Sequence, residues 1–183
     1  MNKKTIKNSA KTSIGGVIAA LSIVLMFMTS LIPSLTYALP AAAGILISII
    51  VIEIDKKWAF GVYAVVSILS ILLIADKEAA VMYIMFFGYY SILKAVIESH
   101  CNRVVSVILK LLVFNISMII AFFISTYVFM IPFKEMEKYG PIAAFGLLAI
   151  GNLIFIIFDF ALSNLITLYN MRWRRVFKRI FKF

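Results

Sequence analysis

The sequence predicts an all-α, polytopic integral membrane protein: one membrane domain over residues 1–183, a compact bundle of six transmembrane helices with both termini in the cytosol. Three observations predict it. The chain is 64% hydrophobic and 14% charged, whereas soluble domains are about half apolar and about a quarter charged. Six apolar runs alternate with short breaks of charge, proline or glycine, and about twenty apolar residues at 1.5 Å rise span a ~30 Å hydrocarbon layer. Lysine and arginine also concentrate on one side of the implied topology, the side that stays in the cytosol.

The first twelve residues carry Lys3, Lys4, Lys7 and Lys11 and no acid. A helix follows over about 13–31. It stops before Pro33, because proline disfavours helical backbone in the residue that precedes it. Two small-xxx-small pairs lie on this helix, Gly15 with Ala19 and Gly16 with Ala20, a spacing that lets another helix approach closely. The apolar core exceeds the roughly 7–15 residues of a signal-peptide core, so an uncleaved helix is expected.

The second run, about 38–54, ends in Glu53, Asp55, Lys56 and Lys57. Trp58 follows as an interfacial anchor. The third, about 59–75, ends at Asp76-Lys77-Glu78. The fourth, about 79–97, carries Tyr83, Tyr89, Tyr90 and Lys94, and breaks at Glu98 to Arg103. The fifth, about 104–131, is longer than one crossing needs and implies tilt or an interruption. Pro132 and Lys134 to Lys138 form the next loop. The sixth, about 141–169, opens at Pro141, a favoured first-turn position. Residues 170–183 form a basic tail interleaved with Trp173, Phe177, Ile180 and Phe181, suited to an anionic membrane surface.

Six helices place both termini on one side. Of eighteen Lys and Arg, only Lys77, Lys134 and Lys138 then fall on the other. An odd number of helices would leave one basic terminus outside. The net charge of +10 is thus a mark of topology, and no nucleic-acid partner is expected. Membrane lipids are the expected partners of the basic ends.

No catalytic pattern is present: there is no Walker A loop, no HExxH, no nucleophile elbow and no paired carboxylates. The chain is expected not to be an enzyme. The one cysteine, Cys101, cannot close an internal disulfide. With His100 it makes too small a set for a structural metal site, which needs about four ligands. Neither a metal nor a cofactor is expected.

Ionisable and polar groups inside the apolar runs are the informative residues, because burying them is costly. Asp159 lies in the inner third of the sixth helix, at the depth of Lys94 and Lys110 on the fourth and fifth. A structural ion pair and a proton- or cation-coupling role are both open to it. Asn115 and Asn152 fall near mid-membrane and suit an interhelical hydrogen bond. A pocket opening outward would draw on Tyr37, Asp76, Glu78, Tyr83, Thr126, Tyr127 and Asn152, aromatics with a few polar groups that suit a small amphipathic ligand.

The segment GGVIAALSIVLMFMTSLIPSL resembles the first helix of the substrate-binding S components of energy-coupling factor (ECF) transporters. A basic amino terminus, a small-xxx-small pattern in an AALS-like helix and a proline-containing outer loop carry the resemblance, which is clearest over residues 11–75. It implies a six-helix subunit of the bacterial plasma membrane that captures a small molecule, such as a vitamin, from outside. It also implies a transmembrane coupling protein, seated on two cytosolic ATPases, that docks on the face of Gly16 and Ala20. The amino terminus lacks the histidines of metal-binding members. Two alternatives share the architecture: a non-transporting scaffold subunit of a cell-envelope complex, and an ion-coupled carrier.

Overall fold

A computed structural model describes residues 8–130 and 141–173. Lys3, Lys4 and Lys7, the loop of Lys134 and Lys138, and the tail from residue 174 lie outside the described residues. Six helices form: α1 (Asn8–Met28), α2 (Ala38–Glu53), α3 (Lys56–Leu73), α4 (Lys77–His100), α5 (Arg103–Tyr127) and α6 (Pro141–Leu168). A π-turn, Tyr169–Trp173, continues α6. No strand occurs among the described residues. Five helices are long and apolar enough to cross a membrane; α2 is apolar but shorter, with 16 residues.

Local chemistry explains the boundaries. α1 ends at Met28 and unwinds through turns before Pro33, which opens a short 3-10 turn, Pro33–Leu35. Asp55 caps α3, its carboxylate accepting from the Trp58 backbone N–H at 2.7 Å. Asp76 caps α4 in the same way, accepting from the Ala79 N–H at 3.0 Å. Each cap satisfies a donor that a helix start leaves unpaired. The caps also explain why α3 and α4 begin two or three residues before their uniformly apolar runs. Lys77 turns back and donates to the carbonyls of Ile71 and Ile74, both at 2.8 Å, closing the carboxyl end of α3.

The bundle is built around α4. Half of its apolar window is buried, against 11% for α6. One core joins α1, α2, α3 and the start of α4 through Ile14, Ile18, Met26, Ile47, Val66 and Tyr83. A second, aromatic core joins α4, α5 and α6 through Phe86, Tyr90, Phe114, Phe155 and Leu162. Phe114 and Phe155 stack with ring centroids 4.7 Å apart, a contact beyond simple area burial.

Two glycines permit this packing. A Cβ on Gly44 would lie 2.2 Å from the Phe87 carbonyl oxygen, and a Cβ on Gly88 would lie 2.6 Å from the Tyr63 ring. Without a side chain, Gly44 lets the backbone of α2 meet that of α4, and Gly88 makes room for the Tyr63 ring. At the same level α4 widens into a π-turn, Tyr83–Phe87. The Tyr63 hydroxyl donates to the Ile84 carbonyl within that turn at 2.8 Å, and Ser91 donates to the Gly44 carbonyl at 2.9 Å. The Ile84 carbonyl of the bulge thus gains a partner from α3, the kind of outside donor that a helix interruption in an apolar setting calls on, and the Ser91 bond ties α4 to α2 beside it.

Candidate functional site

Three polar features and one smooth surface stand out from the apolar bundle. The largest lies towards the basic end, where α4 hands over to α5. Lys94 and Glu98, one turn apart on α4, Lys110 on α5, and Asp159 on α6 form one cluster. Lys94 donates to Asp159 and pairs with Glu98 at 3.0 Å. Lys110 pairs with Glu98 at 2.5 Å and with Asp159 at 3.1 Å. The Tyr90 hydroxyl donates to Asp159 at 2.6 Å. Lys94 and Lys110 are 2% and 4% exposed. Two ammonium groups face two carboxylates, so the cluster is neutral as a unit, the condition under which buried charge is tolerated.

Asp159 therefore meets both lysines. Tyr90 and Glu98 complete the set: hydropathy assigns Glu98 to the break after the fourth run, and Tyr90 is one of several tyrosines on that run with no mark of a polar role. A four-residue spacing from Lys94 to Glu98 was the available signal, since residues so spaced adjoin on a helix. Nothing in the sequence marks Tyr90 apart from Tyr89, which faces elsewhere and shares a 2.7 Å hydrogen bond with Ser117.

The second feature is a reciprocal amide pair. Asn115 donates to Asn152 at 2.8 Å and Asn152 donates back at 2.9 Å. Each amide also donates to the carbonyl four residues earlier in its own helix, both at 2.8 Å. This is the α5–α6 hydrogen bond expected from the sequence. Asn152 is thereby engaged within the bundle.

At the opposite end, the α1–α2 connection is tied to the start of α4. Thr36 donates to Asp76 at 2.9 Å, and the Tyr37 hydroxyl donates to Glu78. Tyr37, Asp76 and Glu78 thus lie together at this end. The other outer candidates do not join them. Tyr83 is fully buried in the first core, and its hydroxyl has no hydrogen-bond partner among the described residues. Thr126 keeps a buried hydroxyl without a partner among those residues. Tyr127 faces outward and stacks on Phe123 at 5.8 Å.

The fourth feature is the small-residue face of α1, and the two pairs part company there. Gly15 packs inward, where a Cβ would meet Val62 of α3 at 3.2 Å, and Ala19 packs against the first core. Gly16 and Ala20 point away from the bundle, and a Cβ on Gly16 would meet nothing within 4 Å. Val17, Leu21, Val24 and Phe27 share this outward side.

No group of three or more metal-ligating side chains occurs among the described residues. Comparison of the chain with protein-family models, with curated proteins and with solved structures finds no match.

Proposed function

We propose that the chain is a multi-pass subunit of the bacterial plasma membrane that works by docking to a second membrane protein, in the manner of an ECF S component capturing a small molecule from outside. In this reading both termini are cytosolic, the basic end faces the cytosol, and the Thr36–Asp76 and Tyr37–Glu78 contacts close the outer end. The coupling partner, with its ATPases, supplies the energy that this chain has no motif to supply. The observation that carries the reading is the outward face of Gly16 and Ala20. The bundle uses one small pair of α1 for its own packing and leaves the adjacent pair open, and close helix approach is what small residues permit.

A specific observation favours the scaffold reading. The interior beneath the outer contacts is filled by the chain's own side chains, with Met26, Ile74 and Tyr83 fully buried. A scaffold needs docking and no pocket; a capture subunit needs both. The ion-coupled carrier is less favoured, because Asp159 already has two ammonium partners and a tyrosine donor.

Two measurements test this. Gly16→Leu with Ala20→Leu should abolish co-purification of the partner while leaving the detergent-solubilised chain monodisperse; retention of the partner would overturn docking. A thermal-shift screen of the purified chain against vitamins and other small water-soluble nutrients decides between the two kinds of subunit. A dose-dependent rise in melting temperature identifies capture, and a flat screen together with intact docking identifies a scaffold.

A further inference from the structure

A cleft of about 390 Å3 opens at the α4–α5 turn, lined by Glu98, Cys101, Arg103, Ser106, Val107 and Lys110. We propose that it binds a phosphate group, that of an anionic phospholipid headgroup at the membrane surface nearest the basic end. The phosphate site stands without the transport reading; only its assignment to the cytosolic leaflet rests on the orientation proposed above.

Four observations converge on this cleft. The first turn of α5 begins there, and its Asn102 cap contributes no side-chain hydrogen bond. The amides at the start of a 25-residue helix therefore present unpaired donors and the positive end of the helix dipole. Arg103 stands at the first helical position and forms no ion pair among the described residues. Ser106 lines the same cleft, is 5% exposed, and its hydroxyl has no hydrogen-bond partner among those residues. A buried hydroxyl normally finds a partner, so this one is poised for a ligand oxygen. Arg103, Ser106, Val107 and Lys110 follow three- and four-residue spacing and so share one face of α5.

The charge balance agrees. Lys94 and Lys110 pair with Glu98 and Asp159, and Arg103 lines the cleft beside Glu98 and Lys110, so the groups in and behind the cleft are three cations and two carboxylates. Glu98 is the one anion in the lining, and both lysines pair with it. Arg103 supplies the uncompensated positive charge, in a guanidinium geometry that matches phosphate oxygens. The neighbouring residues also suit a lipid source. Val104, Val105 and Val107 are exposed beside the cleft, an apolar surface on which acyl chains can lie while the headgroup enters. Anionic lipids concentrate in the cytosolic leaflet, where they attract basic segments.

Cys101 provides the probe, being the one thiol of the chain and part of the lining. The full chain is reconstituted into nanodiscs of phosphatidylcholine alone, of phosphatidylcholine with phosphatidylglycerol, and of phosphatidylcholine with added inorganic phosphate. The rate of Cys101 alkylation by an uncharged maleimide is measured in each. Every variant is referred to its own rate in neutral discs without phosphate, so a change in folding does not enter the ratio. Phosphatidylglycerol should slow alkylation several-fold in the unsubstituted chain, and Arg103→Gln and Ser106→Ala should each lose most of that protection. Protection by inorganic phosphate alone would overturn the lipid source and assign the site to a soluble phosphate. Equal rates in all three conditions, or equal protection in both variants, would overturn the site itself.

Discussion

Asp159 is the polar anchor of α6. It accepts from Lys94, Lys110 and Tyr90, beside the core contacts that Phe155 and Leu162 of the same helix make. Removing it leaves two almost fully buried ammonium groups to share one half-exposed carboxylate, Glu98. Breaking a buried pair by deleting one partner typically costs about 3–5 kcal/mol. Asp159→Ala should therefore lower stability by that order, read as a fall in melting temperature in detergent. Replacing Lys94 and Asp159 together, by Met and Leu, should cost less than the two single changes summed, because no charge of that pair is stranded. Additive losses would show that the two side chains do not act as a pair.

The asparagines make a smaller contribution at the same scale. Interhelical side-chain hydrogen bonds in membrane proteins couple by about 0.6 kcal/mol on average and about 1.7 kcal/mol at most. A double-mutant cycle on Asn115→Leu and Asn152→Leu should return a coupling in that range. A value near zero would indicate that each amide is satisfied by the carbonyl of its own helix.

Between elements, the decisive contacts are those of glycine. Gly44→Ala would place a methyl group 2.2 Å from the Phe87 carbonyl oxygen, a backbone atom that cannot rotate away. Forcing apart such a packed site costs about 1–3 kcal/mol. Gly16→Ala, on the open side of α1, should cost nothing and raise stability by up to about 1 kcal/mol, because alanine is the better helix former. Thermal denaturation of the two variants side by side checks both expectations, and a similar effect at both positions would contradict the assignment of inner and outer faces.

This contrast also shows what was legible in the sequence. All six helices were visible as apolar runs, and their breaks fell within a few residues of the observed ends. Two of the differences come from side-chain caps, since Asp55 and Asp76 extend α3 and α4 into residues that hydropathy assigns to loops; α1, by contrast, lies further toward the amino terminus than its apolar run, over Asn8–Met28, and α5 stops at Tyr127, short of the end of its run. The Asn115–Asn152 bond was legible because two amides at matching depth on adjacent helices have few alternative partners. The facing of Gly15 and Gly16 was not, since consecutive small residues fit either side until the partner helix is placed. The π-turn of α4 was not legible either. It depends on tertiary contacts to Gly44 and Tyr63, and its segment, YIMFF, reads as ordinary helix. The outer candidates divided for the same reason: burial of Tyr83 follows from packing against α3, which no local pattern encodes.

For the whole molecule, the distribution of charge and exposure makes one scheme. Three described connections or termini at one end carry Lys11, Lys56 and Arg103, and the chain ties them together through Lys11–Asp55 at 3.9 Å and Lys56 to the Ala95 carbonyl at 3.2 Å. The opposite end is held by Thr36, Tyr37, Asp76 and Glu78, with Lys77 closing α3 beside them. The orientation proposed from this asymmetry predicts that a membrane-impermeant maleimide labels Cys101 in inverted vesicles and not in intact spheroplasts. Labelling confined to spheroplasts would reverse the topology and with it the assignment of an outer end.

The same view of the molecule singles out one surface. α6 and α5 present broad apolar faces of large side chains, as lipid-facing helices do, whereas α1 combines exposed large residues with a smooth patch at Gly16 and Ala20. A photo-crosslinking residue placed in turn at positions 15, 16, 19 and 20, in cells that express the chain, tests the docking claim most directly. The account predicts an adduct with a second membrane protein from positions 16 and 20, and none from positions 15 and 19, which face the chain's own core. Adducts of equal yield from all four positions, or none from 16 and 20, would contradict it.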